Sequence, residues 1–372
     1  MSRAILPSLL GLSLLMLVSG TTSVCADPTT EINALLEPIR EKHRLPALAA
    51  AVFDTSGLLG QGATGIRKAG QPERVTTRDH WHLGSETKAM TATLAGCFVA
   101  DGRLTWNDTM SQHFPEFADE IAPPLRGVTL AQLLSHRAGL TPNLAWSEFE
   151  TRNLPEARRK ASKQLLTRPP AGTVGQYLYS NAGYVVAGAI LEKVGGKPWE
   201  QLLTERIFKP LEMKSAGFGG VGTVAKTDQP WGHRDDGSAV ESNGPKMDNA
   251  PVMGPAGTVH SSLADWTKFL TDQLRGGTGS KALLPAEVYQ AIHAPHPADA
   301  TYGLGWGLAE RPWAGGKTLS HNGSNTMNLA VCWIALPKKF GVIVCTNQAG
   351  ETATKAADEA VGALIRWHRE RP

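Results

Sequence analysis

Residues 82–88 read His82-Leu83-Gly84-Ser85-Glu86-Thr87-Lys88, and from Ser85 onward the hydrophobic period changes. Met90, Leu94, Cys97 and Phe98 recur at helical spacing until Asp101-Gly102, where glycine can take the left-handed cap. Ser85 therefore falls in the first turn of a helix, and Lys88 lies three residues on, on the same face. A serine hydroxyl is a poor nucleophile until a base takes its proton. A lysine in a partly desolvated pocket has its pKa lowered and can serve, while the helix N-terminus favours negative charge developing at the serine. A chain of 372 residues yields about one Ser-x-x-Lys by chance, and this chain has one.

Two further groups give the pair a context. Tyr179-Ser180-Asn181 stands just before a helical run; a tyrosine could pass a proton to a leaving group, and an asparagine could anchor the lysine and donate to a substrate amide. His321-Asn322-Gly323-Ser324 leads toward the strand from Leu329. Gly323 lets a substrate lie along a strand edge, and the Ser324 N–H could join that of Ser85 as an oxyanion hole.

Around these groups the pattern is strands at both ends with helices between. Ile32, Leu35, Leu36 and Ile39 mark a first helix, although Pro38 predicts a kink or an early end. Ala47 to Phe53, a turn at Gly57 and a stretch to Ile66 read as a hairpin. Helices come next at Leu130 to Leu134 and Leu154 to Leu166, and another from Ser262, capped toward Asp265, to about Leu274. Short strands are predicted at Tyr302 to Leu308, Thr318 to Leu319, Leu329 to Leu336 and Gly341 to Thr346, before a last helix from Glu351 to Arg369. The expected fold is α+β: an antiparallel sheet flanked by N- and C-terminal helices, with an inserted, mostly helical lobe over about 85–275.

The order of the three motifs resembles the serine β-lactamase-like superfamily, especially class C β-lactamases, D-alanyl-D-alanine carboxypeptidases and family VIII carboxylesterases. Leu133-Leu134-Ser135-His136-Arg137-Ala138-Gly139-Leu140, Ile207-Phe208-Lys209-Pro210-Leu211-Glu212-Met213 and Gly254-Pro255-Ala256-Gly257-Thr258-Val259 extend the resemblance along the chain from residue 27. It implies an acyl-enzyme on Ser85, acid and base work shared by Lys88 and Tyr179, substrate positioned by Asn181, His321 and Gly323, an oxyanion held by Ser85 and Ser324, and no metal or organic cofactor. The superfamily acts on lactams, D-amino-acid peptides, simple esters and amide dimers. One departure stands out. His321-Asn322-Gly323 replaces the Lys-Thr-Gly of class C enzymes, and a histidine partly charged near neutrality would read a substrate carboxylate more weakly as pH rises. A non-catalytic penicillin-binding-like sensor that keeps the fold is the alternative.

Composition narrows the rest. With 41% apolar and 19% charged residues the chain can bury a full core. A net charge of +3, spread without a basic stripe, offers nothing to nucleic acid, so the expected partner is a small-molecule or peptide substrate. Arg3, the apolar stretch Ala4 to Val18 and Val24-Cys25-Ala26 before Asp27 read as a signal peptide over 1–26, implying periplasmic or secreted protein with no integral membrane segment after cleavage. A lipoprotein route through Cys25 lacks the leucine and small residue such sites usually show. If Leu336 stands opposite Gly341, Cys332 falls opposite Cys345, able to bridge only where the local geometry permits. His80-x-His82 could face a metal from one strand, but no third ligand stands at metal-site spacing beyond it. His136 looks structural, capping a turn before Gly139.

Overall fold

The run Ala47 to Phe53 is apolar at every position, so as a strand it needs cover on both faces. It has that cover in the computed structural model, which describes residue 1 and residues 27–244, 247–298 and 300–371. The signal peptide expected over 1–26 lies, from residue 2 on, outside the described residues. The strands are β1 (Ala47–Asp54), β2 (Gly57–Gly65), β3 (His80–His82), β4 (Gly217–Phe218), β5 (Val259–Ser262), β6 (Gly307–Arg311), β7 (Gly316–Ser324), β8 (Leu329–Ala335) and β9 (Phe340–Thr346). Six of them form one sheet in the order β2-β1-β9-β8-β7-β6, antiparallel throughout, and β3-β5-β4 form a smaller one. The helices that frame the sheet and the site are α1 (Pro28–Lys42), α2 (Thr87–Ala100), α3 (Leu130–Leu134), α4 (Leu154–Leu166), α5 (Asn181–Gly195), α6 (Leu263–Gly277) and α7 (Glu351–Arg369).

Alternation along β1 divides the interior in two. Ala49, Ala51 and Phe53 join the larger core with Trp81, Met90 and Phe98. Leu48, Ala50 and Val52 join a second core with Ile32 and Leu36 of α1 and Ala357 and Leu364 of α7. The terminal helices thus seal one face of the sheet, and α6 lies against β1, β2 and β9 on the other, with α2 behind it in the larger core. This is the α+β architecture expected from the sequence.

Three local expectations change. Helix α1 runs through Pro38, because Pro38 and Ala34 lie on the solvent face, where water can satisfy the carbonyl that proline leaves unpaired, while Ile32, Leu36 and Ile39 hold the buried stripe. His321 to Ser324 lie inside β7, paired with Cys332 to Leu329, and do not form a lead-in to the next strand. The β8–β9 hairpin closes with Ala335 opposite Phe340, and Lys339 takes the left-handed φ of 57°. Cys332 then faces Ile343 and Cys345 faces Ala330, so the two thiols are diagonal, buried and free, as is Cys97.

Protein beginning at residue 27, denatured without reductant, should therefore titrate three thiols with a chromogenic disulfide reagent; a count of one would mean that Cys332 and Cys345 are bridged.

Candidate active site

Within residues 81–98 every side chain is buried except that of Ser85, which is half-buried. It sits in a 3₁₀ turn, Gly84–Glu86, that runs into α2. Gly84 has φ of 51°, and a Cβ there would lie 2.3 Å from the Ser324 nitrogen. A Cβ on Gly323 would lie 1.9 Å from the Leu83 carbonyl oxygen and 2.8 Å from the Ser85 nitrogen. Both positions require glycine, and the contact they permit brings the backbone nitrogens of Ser85 and Ser324 together at the edge of the cleft.

Lys88 is fully buried. Its Nζ lies 3.0 Å from Ser85 Oγ, 2.7 Å from Asn181 Oδ1 and 2.7 Å from the Ala256 carbonyl oxygen, with no carboxylate in the set. Burial pushes its pKa well below the ordinary lysine value. A neutral amine has two N–H groups and one lone pair. Asn181 and Ala256 take the two N–H groups, which leaves the lone pair for Ser85 Oγ–H.

Asn181 opens α5, whose N-cap Ser180 accepts from Gly183 N–H at 2.9 Å. Its amide is oriented from behind: Nδ2 donates to Asn143 Oδ1 at 2.9 Å, and that oxygen also accepts from Trp146 Nε1 at 3.2 Å. Asn143 and the Ala256 carbonyl were not among the residues singled out by motif. A lone asparagine in a loop carries no sequence signal, and the family stretch around Ala256 does not reveal that its backbone matters. Tyr179 completes the group, with Lys88 Nζ 4.9 Å from its ring centroid. Burial raises its pKa, and hydrogen bonding to the Ser85 hydroxyl opposes the rise, so the phenol keeps its proton at neutral pH.

His321 is in place but its electrostatics differ from the sequence-based expectation. Nδ1 lies 2.8 Å from the Asn322 carbonyl oxygen and must carry the proton, so Nε2 accepts from Tyr302 Oη at 2.9 Å. Burial, helped by the nearby Lys88, pushes its pKa down to about 3. The imidazole is neutral across the physiological range, so it supplies no cation for a carboxylate and does not titrate near pH 7. Tyr302, which fixes this tautomer, had no motif to announce it.

The His80 and His82 pair has protein partners. His82 Nδ1 accepts from Gly84 N–H at 3.1 Å, and Nε2 lies 2.6 Å from Asp248 Oδ1, both side chains being buried. His80 stacks on His260. Behind Ser85, Cys332 Sγ donates to the buried Glu86 carboxyl at 3.2 Å, and desolvation raises that carboxyl well above its ordinary pKa. Beside the site lies a cavity of about 870 Å³ whose walls include Trp146, Phe149, Arg152, Leu154, Asn249 and Val252. Trp146 connects to Asn181 through Asn143, and Asn249 Nδ2 donates to the Gly257 carbonyl at 2.7 Å, next to Gly84. The cavity walls thus connect to the site through Asn143 and Asn249, although none of Ser85, Lys88, Tyr179, Asn181 and His321 lines the cavity.

A serine and a lysine on one helix turn thus face a tyrosine and an asparagine from a helical region and a glycine on a strand edge, on an α+β scaffold. The chain belongs to the Beta-lactamase family, whose model matches residues 32–366. It is 26% identical to Penicillin-binding protein 4 of Amycolatopsis lactamdurans over 335 residues, 86% of this chain and 84% of that protein. It is also 26% identical to a Beta-lactamase of Escherichia coli strain K12 over 307 residues, 80% of this chain and 76% of that one. Among solved structures, D-alanine carboxypeptidase AmpC from Burkholderia cenocepacia matches with a TM-score of 0.69 over 90% of this chain and 98% of that chain, at 20% identity, a likeness of fold.

Two outcomes are expected from the geometry. Gly323→Ala should lower unfolding stability by about 1–3 kcal/mol through backbone overpacking, measured by urea denaturation; an unchanged midpoint would contradict the close approach. His321 has a folded pKa of about 3 against an ordinary 6.5. Between those values the unfolded chain binds a proton there and the native protein does not, so this group's stability contribution is full above 6.5 and is lost as pH falls toward 3. His321→Gln removes that loss. Its urea midpoint should gain on the unsubstituted protein between pH 6.5 and 4.5, and a constant difference would show that His321 titrates normally.

Proposed function

We propose that the protein is a serine hydrolase working through an acyl-enzyme on Ser85, and the observation that carries this reading is the setting of the buried Lys88 amine, whose two N–H groups are taken by Asn181 and the Ala256 carbonyl while its lone pair faces the Ser85 hydroxyl. As Ser85 Oγ attacks the substrate carbonyl carbon, its proton moves to Lys88 Nζ and the carbonyl oxygen becomes an oxyanion held by the Ser85 and Ser324 N–H groups. Collapse of this intermediate breaks the bond to the leaving group, which takes a proton relayed by Lys88 and Tyr179 Oη. Water then attacks the acyl-enzyme as its proton passes to Lys88 Nζ, and collapse of the second tetrahedral intermediate breaks the bond to Ser85 Oγ, which takes that proton back as the acid product leaves. Asn181 holds the Lys88 amine and presents its amide to the substrate, and Gly323 leaves room for the substrate along β7.

The neutral His321 and the roomy cavity walled by Trp146 and Phe149 favour substrates with a sizeable apolar acyl group and an uncharged leaving group, that is esters or amides rather than carboxylate-bearing lactams. Residues 1–26 are read as an export signal cleaved after Ala26, which places this hydrolysis in the periplasm or outside the cell.

The test is turnover of 4-nitrophenyl butyrate and benzylpenicillin by the protein and its Ser85→Ala variant, with intact mass followed in the same samples. The ester should turn over many times per molecule and faster than the penicillin, with a loss of roughly 10³-fold or more in Ser85→Ala. Equal turnover by the variant would refute the reading, and a single Ser85 adduct without turnover would identify the sensor alternative instead.

A further inference from the structure

We propose that His136 is a positioning residue for Tyr179, bracketing it on both sides of the chain; the inference rests on the acyl-enzyme reading above. His136 lies just past α3 and has a left-handed φ of 61°. In that conformation its carbonyl oxygen accepts from Leu178 N–H at 2.8 Å. Its ring Nδ1 accepts from Ser180 N–H at 3.0 Å. One residue therefore fixes the backbone immediately before and immediately after Tyr179. The imidazole also lies on the Tyr179 ring, with centroids 4.2 Å apart and planes tilted by 34°.

A side chain that only fills space needs neither a left-handed backbone nor a ring acceptor. Because Nδ1 accepts, the proton is on Nε2, and that buried N–H has no oxygen or nitrogen partner among the described residues. It is enclosed by the rings of Tyr177, Tyr184 and Tyr302, with centroids 5.8, 5.2 and 5.0 Å away. Two of those rings are themselves fixed: Tyr184 Oη donates to the Leu134 carbonyl at 2.6 Å, and Tyr302 Oη donates to His321. The plates link Tyr179 to the strand-borne half of the site, and Lys88 Nζ lies 4.9 Å from the Tyr179 centroid and 5.4 Å from that of Tyr184. Burial keeps the imidazole neutral, so it adds no charge beside Lys88. A displacement of about 1 Å in a proton-transferring group costs roughly 100-fold in rate, and His136 is built to prevent one.

Two substitutions separate its contacts. His136→Phe keeps a ring against Tyr179 and loses the acceptor for Ser180 N–H. His136→Asn places Oδ1 near the position of Nδ1, tolerates the left-handed backbone and loses the ring. With 4-nitrophenyl butyrate and the full chain, His136→Phe should lower kcat about 10- to 100-fold with KM within about threefold, and His136→Asn should restore kcat to within about 3- to 10-fold. Each is repeated in a Tyr179→Phe background, with single-turnover acylation of Ser85 followed by intact mass. There, each substitution should cost less than about twofold further, because His136 acts through Tyr179. An unchanged kcat in both single variants, or the same loss with Tyr179 absent, would overturn the proposal. If His136→Phe does not fold by circular dichroism, the His136→Asn pair decides alone. Either failure leaves the Ser85 dependence of turnover intact, whereas failure of the acyl-enzyme reading removes that dependence.

Discussion

An amine buried without a carboxylate is an expensive group, since desolvation opposes its charge and nothing nearby repays the cost. Among the described residues Lys88 has no carboxylate partner, and much of the architecture serves to make its burial tolerable. Helix α2 is enclosed on all sides, and Gly96 lets it approach so closely that a Cβ there would lie 2.8 Å from Val288. The acceptors come from separate parts of the chain: the Asn181 amide from the start of α5 and the Ala256 carbonyl from the turn before β5. Asn143 in turn holds Asn181, and Trp146 holds Asn143, so the hydrogen-bond chain reaches from the amine to the cavity wall. Ser85 is the one hydroxyl among the amine's partners, and it is also the one half-exposed position in its run of buried residues.

The second demand on the fold is backbone proximity. Ser85 and Ser324 lie on elements far apart in the chain, and their nitrogens converge only because Gly84 and Gly323 leave no side chain between the turn and β7. His82 steadies the turn from the other side, accepting the Gly84 N–H while facing Asp248. Below it, Glu86 and Cys332 meet in a dry contact. The Ser85 turn is thus pinned at its preceding residue, its following residue and the strand edge, which is the rigidity that positioned chemistry needs.

Legibility in the residues tracks the range of the interactions. Ser85 and Lys88 declare themselves because three residues on a helix is a local geometry, and Tyr179 and Asn181 because they precede a helix with its own cap. The sheet was legible from alternation and from apolar runs such as Ala47 to Phe53. Length and register were harder: the polar sequence from Ser320 to Ser324 hides half of β7, and a left-handed Lys339 shifts the hairpin pairing by two residues. The charge state of His321 could not be read at all, since it depends on Tyr302 and on Lys88, residues that approach only in the folded protein. Asn143 was invisible for the same reason. A proline in α1 misled because propensity is a local penalty and the packing of Ile32, Leu36 and Ile39 is a tertiary gain.

The pairing of β1 with β9 has a consequence for the life of the chain as it is made. Val52 finds its partner in Val342, and β7 reaches the Ser85 turn from only a little earlier in the sequence. A chain emerging from the ribosome N-terminus first therefore holds β1 open on one edge, with its serine and lysine already synthesised, until nearly the last strands appear. The Ser85 turn is made early, but β7, which brings Ser324 to it, is made only after residue 315. The constellation around Ser85 therefore cannot be complete until most of the chain has been made, however early its serine and lysine are in place.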